Sequence, residues 1–276
     1  MRKLASCIVV LSILLMGDLA VTAQEFEPFF EEEDCPFDLD MDMTCGYVIV
    51  LEDRSDPDSE WVELAVVILY ALSDNPQPDP VIYLEGGPGG SAFFQVEDLA
   101  RQPIVQTHDV IVFDQRGTGF SWPSLNCIEI EQDLADDPIA ACRDRLLDEG
   151  INLNMYNSAQ SAADVNDLRI VLGYDDVNLW GISYGTKLAL TVMRDFPENI
   201  RSVVLDSVYP PEIDAMSLIP VSFVDALNAL FDRCAADFDC ADYFPDLEDL
   251  FYELIVMLDH EPLWIETEDG DLEISG

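Results

Sequence analysis

The pentapeptide Gly181-Ile182-Ser183-Tyr184-Gly185 constrains this chain more than any other stretch, because of what flanks it. Upstream, Asp176-Val177-Asn178-Leu179-Trp180 reads as a short buried strand. Downstream, Lys187 to Phe196 carries apolar residues at helical spacing until Pro197 closes the run. A G-x-S-x-G between a strand and a helix predicts a tight turn whose serine adopts a strained backbone conformation that only small neighbours permit. Such a turn would present the Ser183 hydroxyl as a nucleophile and aim the Tyr184 amide, with the positive end of the helix dipole, at a developing oxyanion. The competing reading is a glycine-rich turn without chemistry.

Two further motifs favour the chemical reading. Pro80-Val81-Ile82-Tyr83-Leu84 is a strand-like run ending in Glu85-Gly86-Gly87-Pro88-Gly89-Gly90-Ser91, where successive glycines leave backbone N–H groups accessible. An amide of Gly86 or Gly87 could complete an oxyanion hole with that of Tyr184. A phosphate-cradling loop would need a G-x-x-x-x-G-K-[ST] or G-x-G-x-x-G spacing, which this stretch lacks, and Pro88 removes a donor. The strand Asp109 to Asp114 then leads into Gln115-Arg116-Gly117-Thr118-Gly119-Phe120-Ser121. In this order and spacing, GGPGGS, DQRGTGFS and GISYGT resemble the α/β-hydrolases of the prolyl iminopeptidase and tripeptidyl aminopeptidase type, over the stretch from about Cys35 onward.

The resemblance implies an α/β-hydrolase fold with a mostly parallel sheet, Ser183 as the acylated nucleophile, and Gly86, Gly87 and Tyr184 around the oxyanion. Asp114 and Arg116 are expected to brace the site loops through an ion pair. Glu85 stands where prolyl iminopeptidases carry a histidine, a departure that favours the tripeptidyl branch. The implied order of the triad is Ser, Asp, His, with the acid after the seventh strand and the base after the eighth. Strands are expected at Tyr47–Leu51, Val62–Leu72, Val81–Leu84, Val110–Phe113, Val177–Trp180 and Ser202–Leu205, filling positions one to six. Segments 125–150 and 159–173 read as helices crossing the sheet. Ser222–Cys234 and Asp246–His260 then read as amphipathic helices, and Trp264–Thr267 and Leu272–Ile274 flank a turn at Asp269-Gly270. These suggest the start of a helical cap rather than strands seven and eight.

Neither histidine suits the role of base. His108 precedes a strand, at the end opposite the chemistry, and His260 closes a helix, where a cation complements the dipole. Asp206 could serve as an acid but has no histidine to orient. The expectation is therefore an incomplete catalytic set, inactive as it stands, with the acid and base beyond Gly276.

Residues 1–23 have the charged start, apolar core and small-residue exit of a secretory signal peptide. The organisation expected is that leader, an acidic N-terminal segment with the first strand at 24–60, an incomplete hydrolase core at 61–208 and a partial cap at 209–276. The stretch from Glu25 to Asp42 is expected to be an irregular lead-in. Beyond the leader lie six cysteines, Cys35, Cys45, Cys127, Cys142, Cys234 and Cys240, an even number spaced as local pairs; their connectivity is open to sequence alone. No C-x-x-C or nearby histidine supports a metal, and no cofactor is implied.

With 56 acidic and 12 basic residues, the formal charge is −44, which excludes a basic nucleic-acid surface and argues against stable association with anionic membranes. Carboxylates within 237–249 are candidates for binding a substrate amino group. The expected partner is a peptide with a free N-terminus, and the activity a secreted serine aminopeptidase releasing prolyl, aminoacyl or tripeptidyl units. The alternatives are an esterase or another α/β-hydrolase, and a catalytically dead binding protein.

Overall fold

The computed structural model describes residues 26–132, 134–267 and 270–276. The leader read over 1–23 and Asp269 of the expected turn lie outside the described residues. The chain divides into two compact units, one ending at Val208 and the other running from Tyr209 to Gly276.

The first unit is organised by a seven-stranded sheet: β1 (Phe29–Glu33), β2 (Met43–Leu51), β3 (Trp61–Leu69), β4 (Val81–Leu84), β5 (Val110–Phe113), β6 (Val177–Ile182) and β7 (Ile200–Asp206), in the order β1-β2-β3-β5-β4-β6-β7. Pairing is antiparallel across β1, β2, β3 and β5, then parallel from β5 through β4 and β6 to β7. The crossover of β4 and β5 puts the ends of β4 and β6 side by side, with Leu84 opposite Gly181. The glycine loop and the serine turn therefore leave the same edge of the sheet.

Apolar side chains in β4 and β5 are buried on both faces, as parallel strands covered by helices require. On one face, Ile82, Leu84, Ile111 and Leu179 pack under α4 (Ser158–Val171) and α5 (Tyr184–Asp195). On the other, Tyr83, Val110 and Val112 meet Phe93, Val96 and Leu99 around α1 (Val96–Ala100). The short α2 (Ile128–Glu131) and α3 (Pro138–Asp148) are joined by a Cys127–Cys142 disulfide of 1.95 Å, and Cys35–Cys45 ties the chain before β2 to that strand at 2.04 Å.

The lead-in expected at 25–42 is corrected in part. Phe29–Glu33 forms an edge strand on β2, because backbone pairing with Cys45 to Ile49 does not depend on the acidic side chains it carries. The segment expected as one helix at 125–150 is two, with the break between Glu131 and Pro138.

The second unit contains α6 (Ala215–Ala236), α7 (Phe238–Tyr243), α8 (Leu247–His260) and the hairpin β8 (Leu263–Thr267) with β9 (Gly270–Ile274). A Cys234–Cys240 disulfide of 2.00 Å closes the α6–α7 corner, and Phe231 packs on Phe251 at a ring separation of 5.7 Å. No helix among the described residues is long and apolar enough to cross a membrane.

Candidate active site

Ser183 sits between β6 and α5 with φ 52° and ψ −121°, a conformation that costs a non-glycine residue about 1–3 kcal/mol. The flanking glycines explain how the turn closes. A Cβ on Gly181 would lie 2.5 Å from the Gly185 carbonyl oxygen, and one on Gly185 would overlap the Leu84 carbonyl oxygen. β4, β6 and the start of α5 thus approach each other backbone to backbone.

Ser183 occupies the N-cap of α5, where a serine hydroxyl ordinarily accepts a bond from an amide of the first turn. Here its side chain makes no such bond; the Thr186 amide donates to the Ser183 carbonyl oxygen at 3.0 Å instead. The Ser183 amide donates to the Asp206 carbonyl oxygen at 2.9 Å, which anchors the turn to the end of β7. The hydroxyl is left for other work. The Tyr184 amide opens the helix and has no intrahelical acceptor, while the Tyr184 hydroxyl meets Ser158 Oγ at 2.8 Å.

The glycine loop faces this turn. A Cβ on Gly86 would lie 3.0 Å from Ser183 Cβ and 3.6 Å from Ser183 Oγ, so a side chain there would make the loop or the serine give by a few tenths of an ångström. Of the two glycine amides considered for the oxyanion, that of Gly86 donates to Glu85 Oε1 at 2.7 Å. This leaves Gly87 as the stronger candidate donor. Glu85 Oε2 accepts from the Tyr83 hydroxyl at 3.1 Å, and Gln115 Nε2 donates to the Glu85 carbonyl oxygen at 3.0 Å. Burial, then the charges of Glu85 and Asp206, push the Tyr83 phenol well above its ordinary range.

The ion pair expected between Asp114 and Arg116 is not formed; each braces a different contact. Asp114 accepts from the Ala92 amide at 2.7 Å, the Phe120 amide at 2.8 Å and Ser91 Oγ at 3.0 Å, tying the glycine loop to the loop after β5. Burial pushes its carboxyl up, against the lowering effect of these donors. Arg116 turns instead to Asp164 of α4, with Nε on Oδ2 and Nη2 on Oδ1, both at 2.7 Å. Its Nη1 donates to the carbonyl oxygens of Glu52 at 2.9 Å and Met155 at 3.0 Å. The reason is donor count: a buried guanidinium presents five N–H groups, and this site supplies a bidentate carboxylate plus carbonyls. Arg54 shares Asp164 at 2.6 Å and adds Asp167 at 2.6 Å. Sequence reading missed Asp164. Its signal was an acidic residue among Ser161, Val165 and Leu168 on the buried stripe of α4, a placement that demands a buried cation.

A cavity of about 270 Å³ opens beside the turn, lined by Tyr184, Pro88, Gly89, Thr118, Asn126 and Asn157 among others. His108 lies just before β5, at the far end of the sheet from Ser183, with Nδ1 2.8 Å from Thr107 Oγ1. His260 is the last residue of α8 in the second unit. Asp206 ends β7 opposite Ile182, with Ser207 Oγ donating to Oδ1 at 3.2 Å.

A strand-turn-helix presenting a serine at the sheet edge beside a glycine loop defines a class. The chain belongs to the alpha/beta hydrolase fold family, whose model matches residues 79–243. Among curated relatives, it is 29% identical over 211 residues to a tripeptidyl aminopeptidase of Streptomyces coelicolor, covering 66% of this chain and 38% of that protein. It is 26% identical over 224 residues to the serine protease Hip1 of Mycobacterium tuberculosis, covering 71% and 42% respectively. The chain thus spans less than half the length of these relatives. Among solved structures, a proline iminopeptidase-related protein from Thermus thermophilus aligns at 25% identity and a TM-score of 0.39, over 60% of this chain and 44% of that one.

Proposed function

We propose that this protein is a secreted serine aminopeptidase in which Ser183 attacks the carbonyl carbon of a peptide with a free N-terminus. The observation that carries the reading is the Ser183 turn itself: positive φ, a hydroxyl withheld from capping α5, and Gly86 packed against its side chain. In the step proposed, Ser183 Oγ bonds to the carbonyl carbon and its proton passes to a base. The oxyanion is held by the amides of Tyr184 and Gly87. Collapse expels the leaving amine, which takes the proton, and water then hydrolyses the acyl-enzyme.

A serine needs a hydrogen-bonded base at neutral pH, and His108 stands at the wrong end of the sheet. The reading therefore leaves the acid and the base of the triad unassigned among the described residues, with Tyr209–Gly276 as part of a cap. Three disulfides support an oxidising, extracellular compartment.

The test uses protein expressed from the complete reading frame, incubated with a peptide bearing a free N-terminus and with its N-acetylated twin, products being read by mass spectrometry. Stepwise release from the free peptide alone is expected. Hydrolysis of aryl esters with both peptides left intact would replace the peptidase by an esterase. A folded protein that binds peptide but turns over neither substrate would make it a binding protein.

A further inference from the structure

Resting on the serine reading above, we infer that Glu85 sets the charge of the accepted substrate: it favours an acyl group with an ammonium on the carbon next to the scissile carbonyl, so that single N-terminal residues are released. The side chain is half-buried and pinned at both oxygens, Oε1 by the Gly86 amide at 2.7 Å and Oε2 by the Tyr83 hydroxyl at 3.1 Å. Its backbone is held by Gln115 Nε2 at 3.0 Å. Gly86, the next residue, is the one whose Cβ position lies 3.6 Å from Ser183 Oγ. A carboxylate is thus held by the amide of the residue that packs against Ser183, on the loop expected to hold the oxyanion. Among the described residues, no ion pair joins Glu85 to a basic side chain. Asp206, ending β7 opposite Ile182, adds a second carboxylate whose charge also reaches Tyr83.

This arrangement opposes the chemistry of a neutral acyl group. Glu85 takes the Gly86 amide away from the oxyanion and leaves a negative charge on the loop that faces the one formed in the transition state. A cation on the substrate offsets that repulsion only if it is near. In a single aminoacyl unit the ammonium nitrogen stands about 2.5 Å from the carbonyl carbon, whereas in a tripeptidyl unit it is displaced by about 7 Å more of extended chain. The position of Glu85 therefore favours the short acyl group, in contrast to the tripeptidyl preference that its replacement of a histidine suggested.

The test compares 1-aminoethylboronic acid with isopropylboronic acid, which replaces the ammonium by a methyl group, as inhibitors of protein from the complete reading frame. Both form a tetrahedral anion on a serine hydroxyl, so both report on the oxyanion site. Wild type is expected to bind the amino compound tighter by about tenfold or more, the effect of one well-placed, half-buried charge pair. Glu85→Gln keeps acceptors and donors for Gly86 and Tyr83 but removes the charge. It is expected to weaken the amino compound and to strengthen the isopropyl compound, collapsing the preference. Tyr83→Phe, which leaves the charge, is expected to retain it. Equal weakening of both boronates by Glu85→Gln would reduce Glu85 to a structural role, and an unchanged preference would move ammonium recognition elsewhere; either result overturns the inference, as does release of intact tripeptides by the wild type. If neither boronate binds and a fluorophosphonate fails to label Ser183, the serine reading itself fails, an outcome distinct from these.

Discussion

Replacing Arg116 with methionine tests whether the loop after β5 is held by a buried ion network. Methionine keeps most of the apolar stem and removes the guanidinium. The Arg116 side chain is 1% exposed and that of Asp164 is fully buried, so the substitution strands a carboxylate where water cannot reach it. Breaking a buried pair from one side typically costs about 3–5 kcal/mol. Two features of this site pull in opposite directions. Arg54 Nη2 remains 2.6 Å from Asp164 and limits the loss, while the carbonyl oxygens of Glu52 and Met155 lose a charged donor and enlarge it. We therefore expect a loss of about 3 kcal/mol, a large part of the roughly 5–15 kcal/mol that stabilises a domain. In urea unfolding followed by tryptophan fluorescence, with a slope of about 2 kcal/mol per molar, the midpoint should fall by about 1.5 M. The double variant Arg116→Met with Asp164→Leu removes both charges and should recover part of the loss, because Arg54 retains Asp167. A single-variant loss under about 1 kcal/mol, the range of an exposed pair, would refute the reasoning, as would a double variant less stable than the sum of the singles.

Gly185→Ala should destabilise the first unit by about 1–3 kcal/mol, since its Cβ overlaps the Leu84 carbonyl oxygen and must push β4 from α5; unchanged thermal unfolding would contradict this backbone contact. The phenols of Tyr83, Tyr156 and Tyr174 are each raised, first by burial and then by a carboxylate partner, Glu85, Glu52 and Asp109 respectively. A raised phenol means that the folded state holds its proton after the unfolded state has lost it. Stability from these groups is complete below about pH 10 and declines as pH rises above it. An ultraviolet titration should accordingly show three of the nine tyrosines ionising only together with alkaline unfolding, and reversible ionisation of all nine near pH 10 would refute the assignment.

The parts of the fold visible in the sequence were those fixed by local pattern. β4 and β5 have the bounds their apolar runs suggest, because strands buried on both faces need unbroken hydrophobic sequence. The turn at Ser183 was visible because its backbone requires glycines at fixed places. β1 was not, since Phe29–Glu33 is held by pairing to β2 and carries three glutamates outward. α6 begins at Ala215 rather than Ser222: Pro220 looks like a helix breaker, but Asp214 caps the start through the Ser217 amide at 3.3 Å, and the helix continues through the proline. Partner choice was the least accessible layer. Arg116 is near Asp114 in sequence yet bonds Asp164, 48 residues on, because folding brings α4 against that loop and a bidentate carboxylate satisfies it better.

The central claim is that Ser183 is an activated nucleophile, and covalent labelling addresses it most directly. Protein from the complete reading frame should react stoichiometrically with a fluorophosphonate, with the added mass on the peptide containing Ser183, and Ser183→Ala should abolish the reaction while leaving the fold intact. A folded wild-type protein that stays unlabelled, or label that persists in Ser183→Ala, would contradict the account.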